Sequence, residues 1–187
     1  IADGRCLWCG GRNLAAEYFE GDATALIPRK PWLDLSFDLC GGVAAHAQRQ
    51  FEEDWAFASE TSVPEGSGEL PPGEPSSGLA QLVASGPDRV DDTIHTLLVS
   101  ACFTSQRRII AVTPYFVPDP VLLSAMTLAA RRGVEVDLVL PDRSNHRLAD
   151  IARHRALREL AAAGARIWLH PEMLHAVVQD EQIRIQV

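Results

Sequence analysis

Lysine is almost missing from this sequence: of 17 basic residues in 187, Lys30 alone is not an arginine. Acidic residues outnumber basic ones by 25 to 17, for a net charge of −8 and an isoelectric point near 5.2. Non-specific nucleic-acid binding needs clustered Lys and Arg, so no nucleic-acid partner is expected. No run of 18 apolar residues occurs, and the residues after Ile1 lack the charged start and apolar centre of a signal peptide. Neither a membrane-spanning helix nor an export signal is therefore expected in this stretch. Histidines spaced His-x-x-x-His are absent too, and neither a metal nor a cofactor is expected.

Cys6 and Cys9 make a Cys-x-x-Cys pair. A redox pair sits at the start of a helix, whereas residues 5–9 read as a short strand running into Gly10-Gly11. A structural zinc site would need two more ligands, from Cys40, Cys102 or a His at no recognisable spacing. Buried, reduced thiols are the expectation, and these suit a cytosolic face.

What is present is a foldable composition, 47% apolar and 22% charged. Residues 60–78 are the main break: Ser, Pro, Gly and Glu dominate, and Pro64, Pro71, Pro72 and Pro75 forbid a helix or central strand, so a linker is expected. Before it, Leu33, Leu35, Phe37 and Leu39 alternate with polar residues as a half-buried strand does. Val43, Ala47, Phe51, Trp55 and Ala58 then share one helical face, read as core. After it, strands are predicted over 79–84, 109–112, 134–140 and 166–169. Helices are predicted to start at Asp91-Asp92, with Ile94, Leu97, Leu98 and Ala101 on one side; at Pro118-Asp119, with Val121, Leu122, Ala125, Leu128 and Ala129 inside; and over 147–163. Strands without polar alternation, separated by helices, predict a largely parallel sheet covered on both faces, an α/β unit.

The residues that carry chemistry begin with Asp3, followed after six residues by Gly10-Gly11-Arg12-Asn13. Taken alone, Gly-Gly-x-Asn after a strand is a turn. The run GGRNLAAEYF from Gly10 to Phe19 continues from it. Further along stand Trp32-x-Asp34, Phe51-x-x-Asp54-Trp55, Ser85-Gly86-Pro87, Thr113-Pro114-Tyr115-Phe116-Val117-Pro118, Leu140-Pro141-x-Arg143-Ser144 and Met173-Leu174-His175-Ala176. In this order and at these spacings the set resembles the bacterial cardiolipin synthases of the phospholipase D superfamily, whose signature is H-x-K-x4-D-x6-G-(S/G)-x-N.

The resemblance implies a phospholipase D-like α/β fold of two repeats, each with a mostly parallel sheet flanked by helices. Residues 1–60 would end a truncated first repeat, 61–78 would be a linker, and 79–187 would be most of the second repeat. It implies a phosphatidyltransferase acting on phosphatidylglycerol-like phospholipid at a membrane surface, the cytoplasmic face of the bacterial inner membrane. An imidazole attacks phosphorus to give a phosphohistidine, and Lys and Asn side chains hold the non-bridging oxygens without a metal. The catalytic residues carried over are His175 and, as a supporting and His-orienting carboxylate, Asp3. Asn13 is carried over as phosphate-binding, and Gly11 and Tyr115 as pocket-lining.

The second motif departs from the pattern, with Val177 at the Lys position and Gln182 at the Asp position. The terminus either diverges or carries an error of sequence. The first His and Lys of the signature would precede Ile1, so residues 1–187 alone are expected to be inactive. Two other readings stand beside the transferase: a hydrolytic phospholipase D or nuclease of the superfamily, and a catalytically dead lipid-binding or scaffold protein.

Apart from the resemblance, His175 reads as a core or turn histidine. His46 and His95 read as solvated, while His146 and His170 stand at carboxyl ends of predicted strands, where α/β sheets place ligands. Arg143, Arg147, Arg153, Arg155 and Arg158 read as a solvated helix face. Asn13 and His175 are expected close together.

Overall fold

The computed structural model describes residues 1–21, 30–66, 80–86, 92–175 and 178–180. The chain divides into two compact units, one of Ile1–Cys9 with Ser36–Thr93 and one of Gly10–Leu35 with Ile94–Val187. This division follows contacts rather than sequence order: residues 10–35 join the unit that holds His175.

In the first unit, strands β1 (Cys6–Gly10) and β2 (Ser36–Cys40) form a two-stranded sheet, and helix α1 (Gly42–Ser59) follows. Gly41, at φ 89°, turns the chain from β2 into α1, a conformation that costs glycine no Cβ clash. Asp3 sits at the exposed tip of a turn at φ 51°, where Arg5 N and Cys6 N both donate to Ala2 O. Helix α1 buries Val43, Ala44, Ala45, Ala47 and Ala56, while Phe51 and Trp55 stack on each other in solvent, 6.1 Å between centroids. Of the expected stripe Val43 and Ala47 are buried, while Phe51, Trp55 and Ala58 are exposed. Alanines permit the closest approach of a helix to its neighbours, and here they decide which face turns inward.

The expected burial of the Cys-x-x-Cys thiols is corrected too. Cys6 is exposed and Cys9 half-buried, because a two-stranded sheet leaves alternate side chains open. All four thiols are free, and burial pushes that of Cys102 up to about 11. Residues 61–66 contain no helix or strand; the remainder of the expected linker, 67–78, lies outside the described residues. Residues 80–84 are irregular rather than a strand, since a strand needs a ladder partner and this stretch has none among the described residues.

The second unit is built on a four-stranded sheet in the order β5-β4-β3-β6. Strands β3 (Arg108–Val112), β4 (Glu135–Pro141) and β5 (Arg166–His170) run parallel, and β6 (Val178–Asp180) pairs antiparallel with β3. Helices α2 (Thr93–Thr104), α3 (Pro120–Arg131) and α4 (Arg147–Ala162) complete the unit. Asp119 caps α3, its carboxylate accepting from Val121 N at 2.7 Å and Leu122 N at 3.2 Å, with Pro120 in the first turn. Such a cap is worth about 1 kcal/mol.

Both crossovers step the same way along the sheet, which places α3 and α4 on one face, in contact with each other. There Ile109, Val136, Leu138 and Leu140 meet Cys102, Ala125, Met126, Ala129, Ala156 and Leu160. On α3 Ala125 and Ala129 are buried and Leu122 packs against the core as its spacing predicts, Met126 joins them, and Val121 and Leu128, also expected inside, are exposed. On the opposite face Trp168 is 55% exposed, so among the described residues the apolar cluster lies on one side, not two. The fold class is α/β, a mostly parallel sheet flanked by helices.

One polar lock crosses the sheet on that opposite face. Asp137 of β4, 3% exposed, accepts from Arg166 Nε at 2.6 Å and Nη2 at 2.7 Å, from Trp168 Nε1 at 2.9 Å, and from Arg108 Nη2 at 2.9 Å and Nε at 3.1 Å. Three parallel strands are thus pinned through one carboxylate. The Arg166 guanidinium foremost, with Trp168 and Arg108, outweighs burial and holds the Asp137 carboxyl well below the usual range. Replacing Asp137 by Ala would leave two guanidinium groups facing each other. A loss of about 2–3 kcal/mol is expected in urea unfolding, toward the low side for a buried ion pair because both arginines are half-exposed. Because the folded carboxyl is depressed, its contribution is whole above the unfolded value of about 3.9 and fades as pH falls below it. The Asp137→Ala deficit in Tm should therefore shrink below about pH 4.

Candidate active site

The site grows from a main-chain clasp inside the second unit. Leu33 N donates to Met173 O at 2.9 Å, and His175 N donates to Leu33 O at 2.7 Å, an isolated parallel bridge between Leu33 and Leu174. This explains why the strand expected over 33–40 forms its ladder only from Ser36: its first residues turn to a different partner. In an extended chain residues 32 and 34 project to the same side. Both therefore address His175.

The Trp32 ring stacks on the imidazole, 5.8 Å between centroids at 26°, and the Asp34 carboxylate reaches Nδ1 at 3.1 Å. That carboxylate is wholly inaccessible, the imidazole a quarter exposed. Its other oxygen accepts from Leu35 N at 2.6 Å. A carboxylate can only accept, so Nδ1 carries a proton, and in the neutral imidazole the lone pair then stands on Nε2.

Tyr18, in the short 3-10 turn Ala16–Tyr18, is 3% exposed. Its Oη lies 3.0 Å from His175 Nδ1 and accepts from Asn13 Nδ2 at 3.3 Å. Burial first, and then the Asp34 charge, raises the Tyr18 pKa, so the phenol stays neutral. The rings of Tyr18 and Tyr115 meet the imidazole edge to face at 5.5 Å and 6.4 Å. Tyr115 follows β3; its hydroxyl donates to Asn145 Oδ1 and its ring meets His146 at 5.0 Å. Burial raises its pKa as well.

Of the residues singled out from sequence, Asn13, Gly11, Tyr115 and His175 come together here. Asn13 is exposed, with its amide one hydroxyl away from the imidazole. Asp3 belongs to the other compact unit, in its exposed turn. Val177 and Gln182 lie outside the described residues. His46 and His154 are exposed, while His95 bonds Asp119 at 2.8 Å. Arg153 departs from the solvated face: it is 5% exposed and donates to Pro141 O and Asp142 O, closing the end of β4. The roles of Tyr18, Trp32 and Asp34 went unread. All three stand inside runs noted in the sequence, and Trp32-x-Asp34, two same-side residues beside a strand, was the available signal.

An imidazole, an amide and a buried carboxylate thus gather in the unit built on the parallel sheet. Residues 98–183 match the family model described as "Cardiolipin synthase, PLD-like domain". Cardiolipin synthase A of Pseudomonas aeruginosa (strain LESB58) is 36% identical over 180 residues, 95% of this chain and 35% of that protein. Cardiolipin synthase A of Pseudomonas fluorescens (strain SBW25) is 35% identical over 187 residues, 98% of this chain and 38% of that protein. The crystal structure of a phospholipase D family member, Nuc from Salmonella typhimurium, overlays 46% of this chain on 55% of its own, with 27% identity and a TM-score of 0.37. The chain is similar to the bacterial cardiolipin synthases of the phospholipase D superfamily along nearly its whole length, and spans a little over a third of the length of these curated relatives.

Gly11 supplies a test of the geometry. A Cβ there would stand 2.8 Å and 2.9 Å from the Asp34 carboxylate oxygens and 3.0 Å from His175 O. The carboxylate is held from two sides and a backbone carbonyl cannot swing away. Gly11→Ala is expected to cost about 1–3 kcal/mol in urea unfolding, as overpacking does.

Proposed function

We propose that this chain carries half of the active site of a phosphatidyltransferase that joins phospholipid headgroups, with His175 as one of its two reacting histidines. The observation that carries the reading is the Asp34–His175 pair. A buried carboxylate at Nδ1 holds one tautomer, directs the lone pair outward at Nε2, and stabilises the ring whenever it becomes positive. That is what a histidine needs to attack phosphorus, or in its protonated state to supply a proton to the leaving alkoxide.

In the first step an imidazole nitrogen forms a bond to phosphorus as the phosphorus–oxygen bond to the leaving alcohol breaks. The leaving alkoxide takes the proton of the second histidine. In the return step the acceptor hydroxyl gives its proton back to that histidine and displaces the first. With phosphatidylglycerol as donor and acceptor, the products are cardiolipin and glycerol. Asn13 holds a non-bridging oxygen of the transferring group, and Asp3 supports the histidine of its own motif. Residues 1–60 would be the end of one repeat, 61–78 a linker and 79–187 most of the other.

The substrate is lipid, so the reaction takes place at a membrane surface, at the bacterial inner membrane on this reading. No helix among the described residues is long and apolar enough to cross one. The acidic net charge favours lipid over nucleic acid as substrate.

The test uses the protein expressed from its complete gene, incubated with phosphatidylglycerol vesicles, with cardiolipin followed by mass spectrometry. His175→Ala should abolish product, and Asp34→Asn should lower the rate by about a hundredfold or more. Phosphatidic acid in place of cardiolipin would make the protein a hydrolase. Cardiolipin formation that survives His175→Ala would sink the mechanism.

A further inference from the structure

We propose that Tyr18 is a positioning residue of this site, its hydroxyl tying the imidazole of His175 to the amide of Asn13 so that both meet the transferring phosphoryl group in register. This rests on the reading of His175 as a reacting histidine.

Packing alone does not ask for a tyrosine. The Tyr18 ring stands edge-on to Trp32 at 5.2 Å and 64°, a contact that phenylalanine would keep. The hydroxyl adds a polar atom to a residue that is 3% exposed, which is costly unless it is bonded, and it is bonded on two sides. Toward His175 it stands 3.0 Å from Nδ1, beside the Asp34 oxygen at 3.1 Å. One acceptor fixes the tautomer but leaves the ring free to swing in its plane. Two acceptors flanking the same N–H limit that swing, while the Trp32 ring covers a face of the imidazole.

Toward Asn13 the hydroxyl decides which end of an exposed amide faces inward. With one N–H given to Tyr18, the amide keeps its second N–H for a non-bridging phosphoryl oxygen. One oxygen atom thus sets the aim of the reacting nitrogen and of the group that holds the phosphorus. A displacement of about 1 Å at such a site costs on the order of a hundredfold in rate.

The experiment compares Tyr18→Phe, Asn13→Ala, the double variant and His175→Ala in the protein expressed from its complete gene, with phosphatidylglycerol in mixed micelles. Tyr18→Phe is expected to lower kcat by about 10- to 100-fold with KM changed less than about threefold, because the lost contact orients rather than binds. The double variant should be no more than about threefold slower than the slower single, since both changes remove the same aim. Additive losses would mean independent packing effects and would overturn the proposal. Wild-type kcat in Tyr18→Phe beside an inactive His175→Ala would overturn it while leaving the function intact. An active His175→Ala would remove both. Nitrogen NMR of His175 in the unaltered protein gives a readout that needs no folded variant: an Nδ1-protonated ring supports the proposal, and an Nε2-protonated ring overturns it.

Discussion

Leu33 reaches the chain ahead of His175 through two main-chain hydrogen bonds, and the geometry of this site hangs on that clasp. It joins segments so remote in sequence that Asp34 and His175 stand 141 residues apart. The cost of closing so long a loop is entropic and is met once. After that the alternation of an extended chain does the rest. Leu33 points one way, 44% exposed, while Trp32 and Asp34 point the other, one onto the face of the imidazole and one at its Nδ1 edge. A shift of one residue in this pairing would send both away from the histidine.

Two inaccessible carboxylates show how one residue type serves different ends. Asp137 is surrounded by guanidinium groups, so its charge is used within the fold, holding β3, β4 and β5 in register. Asp34 meets a backbone N–H and an imidazole instead. Its charge is balanced most fully when that imidazole is positive, so on the proposed function the carboxylate serves the reaction rather than the register of the sheet. A buried charge without a full partner is costly, and Asp34 stands in that position beside an exposed amide.

The aromatic groups around His175 serve the same division of labour. Trp32, Tyr18 and Tyr115 exclude water from much of the ring, strengthening each polar contact at its edge, while Tyr115 extends the site toward Asn145 and His146 beyond the ends of β3 and β4. That end of a parallel sheet is where loops are free of the ladder and can carry side chains toward a ligand.

Local chemistry made much of this legible in the sequence: the apolar runs that become β3, β4 and β5, the Asp119-Pro120 start of α3, the glycine at 133 that stops it, and the chain of landmarks that gave the family. These depend on spacing between near neighbours, which any reader of the chain can count. The faces of α1 and α3 were legible in part: Val43, Ala47, Ala125 and Ala129 are buried as their spacing predicts, but periodicity does not show that alanines approach a partner more closely than Phe51 or Val121 can. Residues 80–84 were misread because a strand is defined by its partner. Sequence by itself determined the element order of the parallel sheet and the identity of His175, Asn13, Gly11 and Tyr115 as residues to watch. Only the tertiary structure decided that Asp34 and Tyr18 are what His175 leans on, because a hydrogen bond across 141 residues is a fact of distance in space and leaves no spacing to count.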